Sequence, residues 1–274
     1  MYQLAAVDMD GTLLTSDKKI LPETMAAMQR ALSEGKSIAL CTGRPLAELK
    51  PYASLLSLVP YAVLESGALV YDLTNNKVLA RHTIPAQVVS KVLPVIEKED
   101  IMPHVMMHSL SYINAADLER MDHYLLGVYS PLYHEAATLV GSVTDLVKEN
   151  MDDMEKILLH HADKEACVRT HDRLAGLSAE MVYAETASLE ISPQNVTKGT
   201  GLKELAECLN LDLDQIIAIG DADNDIPALK TAGLGIAMQN ANESVKSIAD
   251  VITGDNNHDG CGDTIRKYLL NENR

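Results

Sequence analysis

The chain alternates short apolar runs with stretches of helical spacing, and this alternation constrains its fold more than any other feature. Leu4–Val7, Ser37–Cys41 and Tyr61–Leu64 are apolar runs of strand length, and Pro22–Ser33 carries apolar residues at helical spacing. The same alternation returns near the C-terminus, with apolar runs at 215–219 and 234–238. Apolar strands that alternate with helices predict a parallel sheet covered by helices on both faces.

The middle of the chain has a different pattern. Two pairs of adjacent strands are predicted there as hairpins, at 102–115 and 180–192, and helices are predicted at 88–97, 118–126 and 164–174. Adjacent strands with helices on one side are typical of an α+β domain. We therefore predict an α/β protein with a Rossmann-like parallel-sheet core, residues 1–83 and 191–274, interrupted by an inserted α+β cap domain, residues 84–190.

Charge and composition restrict the possible partners. The 274 residues include 39 acidic and 23 basic side chains, a net charge of −16. This acidity disfavours nucleic acid and anionic membranes as partners. No apolar stretch reaches the ~18 residues of a membrane span, and the N-terminus lacks the features of a signal peptide. We expect a cytoplasmic protein with reduced cysteines and no evident obligate protein partner.

Polar residues follow the predicted strands at their ends. Asp8 and Asp10 follow the first strand, Thr42 and Gly43 the second, and the segment 220–225 a later one. In a parallel sheet, ligands bind in the crevice at the carboxyl ends of the strands. Several carboxylates at one edge require a cation, and oxygen ligands favour a hard one, most simply Mg²⁺.

The types of these residues indicate phosphate chemistry. Asp8 and Asp10 are spaced so that one can be a nucleophile while the other carries a proton. Thr42 supplies a hydroxyl, and Gly43 allows the backbone to approach an anion closely. Lys198 supplies a fixed positive charge next to a predicted helix, where it can neutralise a phosphoryl group.

Four segments together resemble the haloacid-dehalogenase (HAD) superfamily. They are Asp8-Met9-Asp10-Gly11-Thr12-Leu13, Thr42-Gly43-Arg44, Lys198-Gly199 and Gly220-Asp221-Ala222-Asp223-Asn224-Asp225. Their order, with a long insertion between the second and third, is similar to the Cof-type branch with a type IIB cap, which includes bacterial sugar phosphatases. Glu65-Ser66 and Gly260-Cys261-Gly262 depart from the usual pattern of that branch, which leaves the substrate contacts open.

The resemblance implies a role for each matching residue. Asp8 would be the nucleophile, and Asp10 the general acid and base. The phosphoryl group would be held by Met9, through its backbone, and by Thr42, Gly43, Lys198 and Asn224. The metal ligands would be Asp8, Asp10 through its carbonyl, Asp221, and Asp225 directly or through water.

We therefore expect a Mg²⁺-dependent phosphatase of small phosphorylated metabolites, most simply sugar phosphates, that works through an aspartyl phosphate. One alternative is a phosphomutase of the phosphomannomutase type. Another is a phosphatase of a non-sugar metabolite, such as pyridoxal phosphate or a nucleotide. A receiver-type signalling module would not need an insertion of ~100 residues over its site. The neighbours His160 and His161 are expected to face opposite sides of a strand, in packed or solvated positions.

Overall fold

The computed structural model describes residues 1–272. Contacts within the chain divide it into two compact units. The core unit consists of Met1–Gly43, Ala53–Ala80 and the described residues from Thr197 onward. The inserted unit consists of Arg44–Tyr52 and Arg81–Val196. The predicted insertion, 84–190, falls inside this inserted unit, which also includes Arg44–Tyr52, a segment that no sequence feature had set apart.

Strands and helices follow one another along most of the chain. The strands, in chain order, are β1 Leu4–Val7, β2 Ser37–Cys41, β3 Tyr61–Leu64, β4 Leu69–Asp72, β5 Lys77–Arg81, β6 Ile101–Met107, β7 Leu110–Asn114, β8 Thr138–Val140, β9 Lys156–His161, β10 Ala179–Ala184, β11 Ser188–Pro193, β12 Ile216–Gly220, β13 Leu234–Ala237 and β14 Val251–Ile252. The α-helices are α1 Pro22–Ser33, α2 Ala53–Leu56, α3 Ala86–Ile96, α4 Ala115–Leu118, α5 Ser130–Ala136, α6 Val143–Glu149, α7 Lys164–Leu174, α8 Lys198–Leu209, α9 Ile226–Thr231, α10 Glu243–Lys246 and α11 Gly260–Thr264.

The core unit is built on one sheet with the strand order β14-β13-β12-β1-β2-β3-β4-β5. The strands from β14 to β3 are parallel, and β4 is antiparallel to β3. Every residue of β1 and of β12 is buried, as expected for parallel strands covered on both faces. The fold class, an α/β Rossmann-like core with an inserted α+β domain, is confirmed.

The inserted unit has a second sheet with the order β10-β11-β9-β6-β7-β8. The two predicted hairpins are present as β6–β7 and β10–β11. One face of this sheet is apolar and packs in a cluster with residues of α3, α6 and α7. The apolar strand residues of that cluster are Ile101, Val105, Met107, Ile157, Leu159, Leu189 and Ile191.

The opposite face of the same sheet is unusually polar for a buried surface. Cross-strand pairing places His160 opposite Met102 and Ser188, and Lys156 opposite Met106. Because side chains alternate along a strand, the even-numbered residues of β6, β9 and β11 share this face. We call it the polar face; it comprises His104, Lys156, His160, Ser188, Glu190 and Ser192, all buried.

The predicted helix at 118–126 is wrong. Helix α4 ends at Leu118, and the chain continues to Leu126 in consecutive turns. These turns are closed by bonds between residues three apart, such as His123 N to Arg120 O (2.9 Å). Apolar side chains spaced three residues apart lie on one side of such turns, as they do in a helix, which explains the error.

The helices in the described part of the chain are all too short or too polar to span a membrane.

Candidate active site

The carboxyl ends of neighbouring parallel strands bring the motif segments of the core unit together. Asp8 directly follows β1, Thr42 follows β2, and Asp221 follows β12. Strand β1 lies between the other two in the sheet, and the backbone N–H of Asp8 extends the pairing by donating to Ile219 O (3.0 Å). The polar residues that end these strands therefore share one edge, where parallel α/β sheets bind ligands.

Lys198 joins two of these segments. Its Nζ donates to Asp8 Oδ1 (2.7 Å) and to Asp225 Oδ1 (2.6 Å), and only 1% of Lys198 is exposed. Lys198 is the first residue of α8, which begins there because Thr197 and Thr200 form a capping box. The ammonium group is thus held at a helix start, buried between two buried carboxylates.

Asp225 is held on both of its carboxylate oxygens. Oδ1 accepts from Lys198, while Oδ2 accepts from the backbone N–H groups of Asp221 (2.9 Å) and Ala222 (3.0 Å). Gly220 makes this loop possible, since a Cβ at that position would lie 2.5 Å from the Asp225 Cβ. This arrangement favours Asp225 as a support for Lys198 and for the Asp221 loop.

Asp221 is positioned by the loop that carries the first motif. Thr12 Oγ1 donates to Asp221 Oδ1 (2.8 Å). Gly11 has a φ of 83°, and a Cβ there would lie only 2.3 Å from Asp221 Oδ2. The side chain of Asn240 donates to the carbonyl of Gly11 (2.8 Å). Glycine at position 11 therefore allows the loop to pass directly over a carboxylate.

Asp8, Asp221 and Asp225 form a cluster suited to a cation. One carboxylate oxygen from each lies within 4.8 Å of the other two. Burial and the nearby charge of Asp225 hold the pKa of Asp8 well above its usual value, although Lys198 opposes this shift. Burial and repulsion from Asp225 also raise the pKa of Asp221 to about 6, against the hydrogen bond from Thr12. These residues fit a hard divalent cation such as Mg²⁺, which would bind the ionised carboxylates.

Lys198 carries its charge throughout the physiological range. Burial alone would lower the pKa of its ammonium group, but the facing carboxylates Asp225 and Asp8 hold it well above its usual value. The neighbouring Cys41 lies at the end of β2, and burial raises the pKa of its thiol to about 12. Cys41 is therefore a neutral thiol in this site, consistent with a packing role.

Asp10 differs from the other carboxylates in its exposure. About a third of its side chain is exposed (33%), whereas the side chains of Asp8 and Asp225 are 8% and 2% exposed. Its Oδ1 accepts from Lys18 Nζ at 2.7 Å. Asp10 thus lies on the same loop as Asp8, but its carboxyl group is accessible to solvent.

The other residues of the motif segments differ in their burial and in their hydrogen-bond partners. Met9 is fully buried, and its carbonyl accepts from Leu14 N (2.8 Å). Thr42 is buried, with its N–H donating to Val63 O (2.9 Å). Asn224 has a buried Oδ1 that finds no hydrogen-bond partner in the part of the chain that the structure describes. Arg44 belongs to the inserted unit, where its guanidinium lies 5.9 Å from the ring centre of Tyr52.

The structure adds contacts to which sequence reasoning assigned no role. Thr12 belongs to the first motif, so its place in the sequence could have indicated a role beside Asp221. Lys18 and Asn240 had no such signal, because their contacts depend on how a turn and a distant loop fold back onto the first motif.

We expect Asp221 to make the stability of the metal-free protein depend on pH. Its pKa in the folded protein is about 6, above its usual 3.8. A carboxyl group with a raised pKa contributes stability that is present below its unfolded pKa and lost as the pH rises through its folded pKa. The unfolding free energy of the wild type, relative to Asp221→Asn, should therefore fall by about 2 kcal/mol between pH 4 and 7.

Urea denaturation in chelator, with both variants at each pH, measures this difference. Mg²⁺ added at pH 7 should stabilise the wild type more than Asp221→Asn, because binding of a ligand to the folded state stabilises it. A difference that does not change with pH, or equal stabilisation of both variants by Mg²⁺, would contradict the prediction.

Comparison with known proteins places this geometry in a family. The family model described as haloacid dehalogenase-like hydrolase matches residues 5–265. The 5-amino-6-(5-phospho-D-ribitylamino)uracil phosphatase YitU of Bacillus subtilis is 29% identical over 97% of this chain and 97% of its own length. Pyridoxal phosphate phosphatase YbhA of Escherichia coli is 28% identical over 98% of this chain and 99% of its own.

Structural comparison agrees with the sequence match. The solved structure of a haloacid dehalogenase-like hydrolase from B. subtilis has a TM-score of 0.86 to this chain at 26% identity, covering 97% of this chain and 99% of that one. The predicted family with its Cof-type branch, and the enzyme class, a phosphoric monoester hydrolase, are confirmed. Since the family model spans almost the whole sequence, this protein belongs to the haloacid dehalogenase-like hydrolases.

Proposed function

We propose that the protein is a Mg²⁺-dependent phosphatase that hydrolyses small phosphorylated metabolites, most simply sugar phosphates, through a phosphorylated Asp8. The observation that carries this proposal is the buried contact of Asp8 with Lys198, which Asp225 holds from its other side. A carboxylate in contact with a fixed ammonium group is oriented as a nucleophile, and the same ammonium can offset charge on a phosphoryl group.

The first step transfers the phosphoryl group to Asp8. An oxygen of Asp8 attacks phosphorus as the bond to the leaving oxygen breaks, and Asp10 gives its proton to that oxygen. Lys198, Thr42, Gly43, Asn224 and the backbone of Met9 hold the phosphoryl oxygens. Mg²⁺, held by Asp8, Asp221 and the carbonyl of Asp10 with Asp225 in support, would offset negative charge on the phosphoryl group, where catalysis of phosphoryl transfer mostly lies.

The second step returns Asp8 to its starting state. Asp10, now ionised, takes a proton from a water molecule whose oxygen attacks phosphorus. The bond between phosphorus and Asp8 breaks, which releases inorganic phosphate and restores both carboxyl groups. The exposure of Asp10 supports this role, because solvent reaches its carboxyl group and can supply the water molecule that attacks phosphorus.

The polar face of the inserted unit supports an uncharged, hydroxyl-bearing leaving group. Lys156 and Glu190 neutralise each other there (2.6 Å). His104 and His160 contact Ser111 and Ser188, each at 2.6 Å. Burial holds the pKa of His160 well below its usual value, so this imidazole is neutral. A neutral imidazole can donate and accept a hydrogen bond, and so can a hydroxyl group, as recognition of sugar hydroxyls requires.

One nitrogen atom of the polar face is a further indication of a ligand. His160 Nε2 is buried without a hydrogen-bond partner among residues 1–272. Buried polar atoms are almost always satisfied, so each exception calls for an explanation. We propose that this nitrogen is a hydroxyl-binding group of the inserted unit. The named relatives act on chemically different phosphates, which is consistent with substrate choice by the inserted unit.

A cytoplasmic location and the absence of nucleic acid, membrane and protein partners stay predictions.

The first experiment separates Asp8 from Asp10. Asp8→Asn should form no phosphoenzyme with any substrate. Asp10→Asn should lose about 10²- to 10⁴-fold with glucose 6-phosphate, whose leaving oxygen needs a proton. With p-nitrophenyl phosphate the leaving group departs unaided, so the first step should survive while the second slows. Rapid quench should then show a burst of nitrophenol equal to the enzyme concentration, with phosphate on Asp8.

Three outcomes would contradict parts of the proposal. Equal losses for good and poor leaving groups in Asp10→Asn, without a burst, would remove its acid–base role. Interconversion of hexose phosphates without release of phosphate would identify a phosphomutase instead. Full activity in excess chelator would remove the metal.

A second experiment tests the polar face with two adjacent histidines. His160 belongs to the polar face, while His161 lies on the opposite face, bonded to Thr170 (2.8 Å). His160→Leu should lower kcat/KM for glucose 6-phosphate about 3- to 10-fold relative to p-nitrophenyl phosphate, the effect of one lost hydrogen bond. The matched control, His161→Leu, should leave this ratio unchanged. An equal change in the ratio for both variants would contradict the assignment.

A further inference from the structure

Lys18 lies in a tight turn that follows the first motif. The turn is closed by Lys18 N donating to Thr15 O (2.9 Å) and by Thr15 N donating to Lys19 O (2.8 Å). Lys18 has a φ of 58°, in the left-handed region. Few residues other than glycine, asparagine and aspartate adopt this conformation, and such outliers concentrate at functional sites. The backbone at Lys18 is therefore unusual for a lysine.

This turn is attached to the core unit by two consecutive asparagines. Asn257 accepts from Ser16 N (3.0 Å) and donates to Ser16 Oγ (3.1 Å). Asn256 donates to Leu14 O (2.8 Å). The turn that carries Lys18 is thus held at Leu14 and Ser16, by contacts that do not involve the Lys18 side chain.

From this turn the ammonium group of Lys18 contacts Asp10 Oδ1 at 2.7 Å. The side chains of Lys18 and Asp10 are 37% and 33% exposed, in contrast to the buried pair of Lys198 and Asp8. A carboxylate with this exposure can change its rotamer in water, so a contact is needed to favour one orientation. The anchored lysine provides such a contact.

We propose that Lys18 is a positioning residue that orients the Asp10 carboxyl group for proton transfer. This inference rests on the proposed acid–base role of Asp10. Because a partly exposed ion pair changes an equilibrium by less than about tenfold, Lys18 biases the orientation of Asp10 and does not lock it.

The test compares the two adjacent lysines of the turn. Lys18→Met removes the contact, whereas Lys19→Met removes the same charge from an exposed neighbour. This control accounts for any general attraction of the phosphate dianion. We expect Lys18→Met to lower kcat for glucose 6-phosphate about 3- to 10-fold with KM changed less than about twofold. The burst rate with p-nitrophenyl phosphate should change less than about twofold, since that leaving group needs no proton.

Two further variants make the test specific. Lys18→Arg should restore kcat to within about twofold of the wild type, because arginine retains the charge and the donor. In the Asp10→Asn background, Lys18→Met should have no additional effect on glucose 6-phosphate hydrolysis, since two residues that act through one step are not additive.

Several results would overturn the proposal. A positioning role would be excluded if Lys18→Met and Lys19→Met lowered kcat for glucose 6-phosphate equally. It would also be excluded if Lys18→Met lowered the rate equally for both substrates, or if it changed KM and not kcat. If Asp10→Asn itself shows no dependence on the leaving group, the proposed role of Asp10 fails and this inference with it. If Asp10→Asn shows the expected dependence on the leaving group but Lys18→Met leaves kcat unchanged, only the role of Lys18 is overturned.

Discussion

The buried ammonium group of Lys198 is the interaction on which the site depends. Two carboxylates approach within hydrogen-bond distance of one nitrogen, and all three groups are withdrawn from water. Removing one partner of such a group would leave an uncompensated buried charge, which typically costs about 3–5 kcal/mol. Lys198 therefore ties α8 to the loops after β1 and β12 and holds their acidic residues close together.

Even with Lys198 in place, the cluster has an excess of negative charge. The pKa values of Asp8 and Asp221 are both raised, with burial as the main cause and the charge of Asp225 as a further one. Asp225 has its own carboxylate oxygens engaged by Lys198 and by two backbone N–H groups. The open coordination capacity thus lies with Asp8 and Asp221, which is the chemical basis for expecting a cation between them.

The carboxylates of the site differ in their exposure to solvent. Asp8 and Asp225 are shielded from water, whereas Asp10 is reached by solvent and contacts an anchored surface lysine. This division matches the two tasks proposed for these residues: a nucleophile benefits from a dry, fixed environment, while a general base must be reached by the water molecule that it activates. The inserted unit has a comparable division, because one face of its sheet forms an apolar core and the other carries histidines, serines and an ion pair.

The sequence by itself determined the fold class, five of the eight core strands and the residue types of the candidate site. Apolar runs such as Leu4–Val7 require burial on both faces, and the carboxyl ends of parallel strands meet at one edge, so Asp8, Thr42 and Asp221 could be grouped in advance. The tertiary structure decided which partners each one has. Lys198 lies 190 positions from Asp8, and the contact of Lys18 with Asp10 depends on a left-handed turn held by Asn257. The sequence also misled at 118–126, because a spacing of three residues is shared by helices and consecutive turns. Local patterns record which side chains must be buried, whereas the pairing of distant side chains follows only from the folded path of the chain.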